Sequence, residues 1–234
     1  MPFNTFHQEV GQILTDYIAG PMPDVETLEG RYCCLEHIKA KEHLDDIADF
    51  YWKSIVPSDW TYMYDEPFDS KEAVEQRLKD YEKSKNPYFF AIREKVSNKV
   101  LGTFSLMAIN PQNRSVEVGR VIYAPTLQKT RAGTEAQYLL MKYVFEELGY
   151  RRYEWKCDSL NRSSANAARR LGFKDEGLFR RHAVYKGRSR DTLWLSMIEE
   201  DWQLSKVKLE KWLEPTNFDQ EGNQVKSLSD ISTL

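Results

Sequence analysis

Residues 121–136, reading VIYAPTLQKTRAGTEA, constrain the fold of this chain more than any other stretch. The apolar run Val121-Ile122-Tyr123 ends at Pro125, which has no N–H to give a sheet ladder and so closes a strand. A polar loop follows, Gln128-Lys129-Thr130-Arg131-Ala132-Gly133, and a helical pattern begins at Thr134. The first turn of a helix leaves unpaired N–H groups pointing outward, and the macrodipole adds partial positive charge there. Lys129 and Arg131 add formal charge. Strand, loop and helix start in that order suit a phosphate, and the stretch reads as the seat of a pyrophosphate-bearing cofactor.

The remaining elements are placed around it. Residues 88–93, 100–109 and 115–123 are apolar runs separated by short turns, a spacing that favours hairpins and antiparallel pairing. After the loop, Ala136, Leu139, Leu140, Tyr143, Val144 and Leu148 recur at helical spacing up to Gly149. The strand expected at 153–157 is then reached through a helix, which implies a right-handed crossover and parallel pairing with the strand before the loop. A shorter helix over 163–171 is capped by Ser163 or Asn161 and stopped by Gly172-Phe173. Residues 176–185 and 192–198 form a last hairpin around Lys186-Gly187, and 199–213 is helical.

Towards the N-terminus, 30–36 reads as a first strand and 40–55 as a helix. A second helix opens at Asp69-Ser70, after the aromatic cluster Trp60, Tyr62, Tyr64 and Phe68. Residues 1–28 are expected to be an extended arm pinned by Tyr17 and Ile18, and 214–234 a polar, disordered tail. No repeat or linker divides the chain, so one domain over 29–213, of class α/β in its α+β form, is the economical reading.

A net charge of −3 and a pI of about 5.9 suggest no broad binding to nucleic acid or membrane. No apolar run approaches the ~20 residues of a membrane-spanning helix, and the first residues lack the order of a signal peptide. Cys33, Cys34 and Cys157 are odd in number, which suits free thiols in a reducing, cytoplasmic setting. No Cys/His spacing resembles a metal site.

Four stretches, LEGRYCCLEHI, SVEVGRVIYAP, LQKTRAGTEAQYLLMKYVFEELGYRRYEWKC and LNRSSANAARRLGFKDEGLFRRHAVYKGRSRDT, resemble the GNAT superfamily of acyl-CoA-dependent N-acyltransferases. Within it they look most like the RimJ/RimL-type branch, over about residues 10–212. The resemblance implies a mixed, mostly antiparallel sheet flanked by helices and splayed between the strands ending near Tyr123 and Cys157. Acetyl-CoA would lie in that opening, along Val121, Ile122 and Tyr123, with its pyrophosphate on Gln128, Lys129, Thr130, Arg131, Ala132, Gly133 and Thr134. Arg131 departs from the pattern, standing where the family usually has a glycine. Either the backbone there is ordinary helix, or the loop has lost affinity.

Acetyl transfer to an amine needs a neutral nitrogen and a thiolate that can leave, so a general base is useful. Glu117, two residues before Gly119, is the candidate base; the alternative is a solvent-facing residue between inward Val116 and Val118. By resemblance Asn161 would hold the pantetheine amides, or simply cap its helix. Ser164 stands in for the tyrosine acid that many members carry seven residues after the asparagine, where this chain has Ala168; the alternative is a helix-start residue satisfying an amide. Trp60 and Tyr62 are candidate walls of an acceptor pocket, with core packing as the alternative. The basic hairpin Arg180-Arg181 and Lys186-Gly187-Arg188-Ser189-Arg190 either receives an acidic group or is a solvated tip. The acceptor is expected to be an amine-bearing small molecule or a protein N-terminus. A CoA-binding sensor or scaffold without catalysis is the rival reading, prompted by the missing tyrosine and by Arg131.

Overall fold

The computed structural model describes residues 2–54 and 56–232. One eight-stranded sheet carries the fold, in the order β1-β2-β3-β4-β5-β6-β8-β7. Its strands are β1 (Thr27–Glu29), β2 (Cys33–His37), β3 (Tyr88–Glu94), β4 (Lys99–Asn110), β5 (Ser115–Tyr123), β6 (Arg152–Asp158), β7 (Lys174–Tyr185) and β8 (Arg188–Ile198). Every pairing is antiparallel except β5 with β6, the pair joined through a helix. The helices are α1 (Ala40–Ala48), α2 (Lys71–Lys83), α3 (Arg131–Lys142), α4 (Arg162–Leu171) and α5 (Glu199–Leu213). None is long and apolar enough to cross a membrane.

The two faces of the sheet bury different things. On one face α3, α4 and α5 cover Phe90, Phe104, Val116, Val118, Tyr153, Trp155 and Leu195, forming the larger core. On the other, α1 and α2 cover Phe89, Ala91, Val100 and Ile122, forming the second. Alternation along each strand sends successive side chains to opposite faces. The second face of β5, β6 and β8 has no helix over it. There the alternation brings up Glu117, Glu154, Lys156, Asp158, Arg190, Thr192, Trp194 and Ser196 in place of apolar residues.

Four local expectations change. The helix expected over 40–55 is α-helical only to Ala48 and continues as a π-helical turn, Asp49–Ser54; Ile55 lies outside the described residues. A hairpin, β1 with β2, occupies the stretch assigned to the end of the arm and the first strand, with Glu29 opposite Cys34. The helix after the loop starts at Arg131 rather than Thr134, because Thr130 caps it: its Oγ1 accepts the Gly133 N–H at 3.0 Å. Finally, residues 214–232 do not trail into solvent. Asn217 and Leu228 are buried, Phe218 packs edge-on against Trp212 at 5.0 Å, and Trp212 donates to Gln224 Oε1 at 2.9 Å. A low apolar content hid two anchors that are sufficient because α5 presents Trp212 to them.

In the arm, the Tyr17 ring lies 4.9 Å from the Arg114 guanidinium, and Arg114 Nε donates to the Ile18 carbonyl at 2.9 Å. Ile18 therefore contributes backbone, while its side chain is exposed.

Candidate active site

The parallel ladder of β5 with β6 runs from Ser115 opposite Arg152 to Val118 opposite Trp155 and then stops. Beyond it β5 stays on β4 as far as Tyr123, and β6 stays on β8 as far as Asp158. Each strand keeps its outer neighbour while the two part, which opens a wedge. A bulge drives the divergence. The β4–β5 register slips between Thr103 and Ser105, and Arg120 takes a left-handed φ of 51°. Gly119, just before it, lies against the flexible end of Met107.

The loop beyond β5 lies at the mouth of the wedge. Among the described residues the amides of Gln128, Lys129, Arg131 and Ala132 make no hydrogen bond within the chain, whereas Gly133 and Thr134 donate to Thr130. Four free amides at a helix start are what an anion requires. A Cβ at Gly133 would lie 2.6 Å from the Leu127 carbonyl oxygen, so the loop can fold this tightly only with glycine there. Arg131 is the first helical residue, and the left-handed turn falls on Lys129, at φ 61°. Of the two readings of Arg131, the ordinary helical backbone is the one found. Its guanidinium lies 4.5 Å from the Tyr32 ring and 5.4 Å from that of Phe218. A hollow of about 340 Å³ opens beside it, lined by Tyr32, Lys129, Thr130, Ala132, Gly222 and Asn223.

The remaining cofactor candidates divide by face. Ile122 points into the second core and can offer only backbone, whereas Val121 and Tyr123 pack on the first. Tyr123 donates its hydroxyl to the Gly133 carbonyl at 3.1 Å, and its own carbonyl accepts from Gln128 Nε2 at 3.3 Å. Thr134 Oγ1 accepts from Arg170 Nη1 at 3.2 Å. Asn161 caps α4: its Oδ1 accepts from Ser164 N (3.1 Å) and from Ser163 Oγ (2.8 Å), leaving its amide NH₂ unengaged. Ser164 accepts the Trp155 indole N–H at 2.9 Å, so its hydroxyl keeps a proton to donate.

On the uncovered face, Glu117 is 8 % exposed rather than solvent-facing. Its Oε2 accepts from Lys156 Nζ at 2.8 Å, and the same ammonium reaches Glu154 at 2.9 Å and lies 3.9 Å from the Trp194 ring centroid. Burial pushes the Glu117 carboxyl up from its ordinary range, and Lys156 only partly opposes it. For Lys156, burial disfavours the charge but the two carboxylates prevail, so its pKa is raised and it stays an ammonium. A carboxylate of raised pKa on β5, just before the two strands part, is placed to act as a proton acceptor.

The proposed pocket walls separate. Trp60 is 2 % exposed and packs edge-on against Tyr51 and Phe68, so it is a core residue and not a wall. Tyr62 is half-buried beside Tyr185. Its loop is held at both ends. Asp65 takes Arg77 and Arg120 at 2.6 Å each, and Lys186, at the hairpin tip, donates to the Trp60 carbonyl at 2.8 Å. Lys186, Arg190, Lys156 and Arg120 went unassigned as individual site residues. The polar alternation of β6 and β8 is the signal for Lys156 and Arg190, and the basic hairpin tip for Lys186; nothing in the sequence pairs Arg120 with Asp65.

An acetyltransferase (GNAT) domain model matches residues 34–174. A GCN5-related N-acetyltransferase from Brucella melitensis is 40 % identical over 92 % of this chain and 98 % of its own, with a TM-score of 0.90. A probable GNAT-family acetyltransferase from Chromobacterium violaceum ATCC 12472 is 32 % identical over 84 % of this chain and 98 % of its own, with a TM-score of 0.76. The uncharacterized N-acetyltransferase p20 of Bacillus licheniformis is 29 % identical over 160 residues, 67 % of this chain and 88 % of that protein. The wedge, the amide-bearing loop and these likenesses agree, and the chain belongs to the GNAT acetyltransferase family.

Proposed function

We propose that the protein is an acetyl-CoA-dependent N-acetyltransferase of the RimJ/RimL-type branch, transferring acetyl directly to an amine while both substrates are bound. The observation that carries the reading is Glu117, a buried carboxyl of raised pKa beside a strand opening whose far end bears four free amides. The loop amides of 128–132 would hold the pyrophosphate, and the Asn161 NH₂ faces no competing partner within the chain for the pantetheine amides. Acetyl-CoA supplies the activated acetyl thioester. Glu117 takes the proton that the amine nitrogen loses as its bond to the acetyl carbon forms, directly or through one water. As the carbon–sulfur bond breaks, the Ser164 hydroxyl donates to the departing sulfur; it is too weak an acid to protonate it outright. The buried, free thiols of Cys33, Cys34 and Cys157 fit the cytoplasmic setting. The sensor reading loses one of its two supports, because Arg131 adopts a backbone that needs no glycine.

Thiol release with acetyl-CoA and an amine panel tests this. Glu117→Gln is expected to lower kcat by about 10²–10⁴ while leaving CoA affinity within a factor of a few. The wild-type rate should rise with pH through the raised pKa of Glu117, since the base works only when ionised, and the variant should lose that acid limb. Binding of CoA without turnover of any amine would favour the sensor.

A further inference from the structure

Arg190 is 7 % exposed, and its one hydrogen bond within the chain runs from Nε to Thr192 Oγ1 at 3.0 Å. Among the described residues no carboxylate lies within ion-pair distance of it, although the less buried Arg152 and Arg93 are paired, Arg152 with Glu154 and Glu176 and Arg93 with Glu36. A guanidinium carries five N–H donors, so four are left without an acceptor among the described residues. Buried charges are ordinarily paired, because removing them from water costs several kcal/mol that only a counter-ion restores.

The surroundings hold this cation in place without neutralising it. The rings of Tyr64 and Tyr185 lie 5.4 and 5.8 Å from its guanidinium carbon. Asp158 is nearby but occupied, accepting from the Tyr185 hydroxyl at 2.8 Å and the Leu160 amide at 2.9 Å. The β6–β8 ladder ends with Asp158 opposite Thr192, so Arg190 lies just beyond the end of β6, at the wedge.

We propose that Arg190 is the docking point for a carboxylate on the acceptor, so that the amine acetylated here belongs to an amino acid or a similar amino-carboxylate. The inference rests on the acetyltransferase reading. A planar, bidentate guanidinium beside the contacting rings of Tyr64 and Tyr185 matches a carboxylate's two oxygens, and it leaves the acceptor's amine free to face Glu117. An acceptor of uncharged or purely cationic character would leave the Arg190 charge uncompensated and would gain nothing from it.

Calorimetry on the CoA-loaded protein, with free L-amino acids and their carboxamides as paired probes, provides the test. At least one acid should bind about tenfold or more tighter than its amide, and Arg190→Gln should bring that ratio to about one with CoA affinity unchanged. Thiol release on the same pairs should show the difference in KM rather than in kcat. Equal binding of acid and amide, binding of no acid at all, or a preference that survives Arg190→Gln would overturn the proposal. Should Arg190→Gln not fold, the wild-type ratio decides by itself. CoA binding measured alone separates failure of this inference from failure of the acetyltransferase reading.

Discussion

At the scale of single residues, polar groups tie the elements around the site together. Glu135, on α3, is buried and accepts the amides of Arg31, Tyr32 and Cys33 at 2.8, 2.6 and 2.8 Å. One carboxylate thus closes the turn between β1 and β2 and fastens it to the helix that follows the loop of free amides. Glu135→Ala strands three donors at once and is expected to cost about 3 kcal/mol or more, read as a lower urea midpoint at unchanged m. Glu135→Gln, which keeps one acceptor oxygen, should cost less. Nothing in the sequence around Glu135 announces this role, because its partners lie more than a hundred positions away. Thr130 is the same case at short range: the expected helix start at Thr134 gives way to Arg131 because the Thr130 hydroxyl takes the Gly133 amide.

At the scale of elements, local chemistry was readable and its end-points were not. The hairpin at Lys186-Gly187 formed as the dipeptide suggests, both residues taking left-handed φ of 49° and 67°. Helix α4 closes at Gly172 with φ 105°, after Arg169 and Arg170. The crossover between β5 and β6 followed from the helix between them. By contrast, the π-helical turn after Ala48 depends on Phe50, Tyr51 and Trp60 finding room together, which periodicity does not encode. The tail is the clearest case. Residues 214–232 look unable to bury enough to fold, yet they dock on Trp212 and supply Phe218 to Arg131, the first residue of α3. Deleting 214–234 is expected to cost about 3 kcal/mol, from the lost burial of Phe218 and Leu228, and to redden Trp212 fluorescence. Because Gly222 and Asn223 line the hollow beside Lys129, the same deletion should also weaken CoA binding.

At the scale of the whole molecule, the sheet works as a partition. One face is closed by three helices over a continuous core; on the other, α1 and α2 cover half, and the polar residues of β6, β8 and the start of β5 have no helix over them. If the wedge binds acetyl-CoA, ligand and fold are linked, and CoA at a hundred times its Kd should raise unfolding free energy by about 2.7 kcal/mol, measured as a thermal shift. The fold class was legible because four separated motifs agreed on one order of elements. The acceptor side was less so, since its residues come from β6, β8 and the loop before α2, and only the folded sheet brings them together.

The paired contacts at Asp65 and Lys186 have a topological consequence. Arg120 ties the loop before α2 to β5, Lys186 ties it to the β7–β8 tip, and the β5–β6–β8 ladder completes the circuit. The open half of the sheet is therefore spanned by a closed hoop of chain. The hoop is fastened at two places only a few residues apart in that loop, Asp65 on Arg120 and the Trp60 carbonyl on Lys186, so losing either contact opens it.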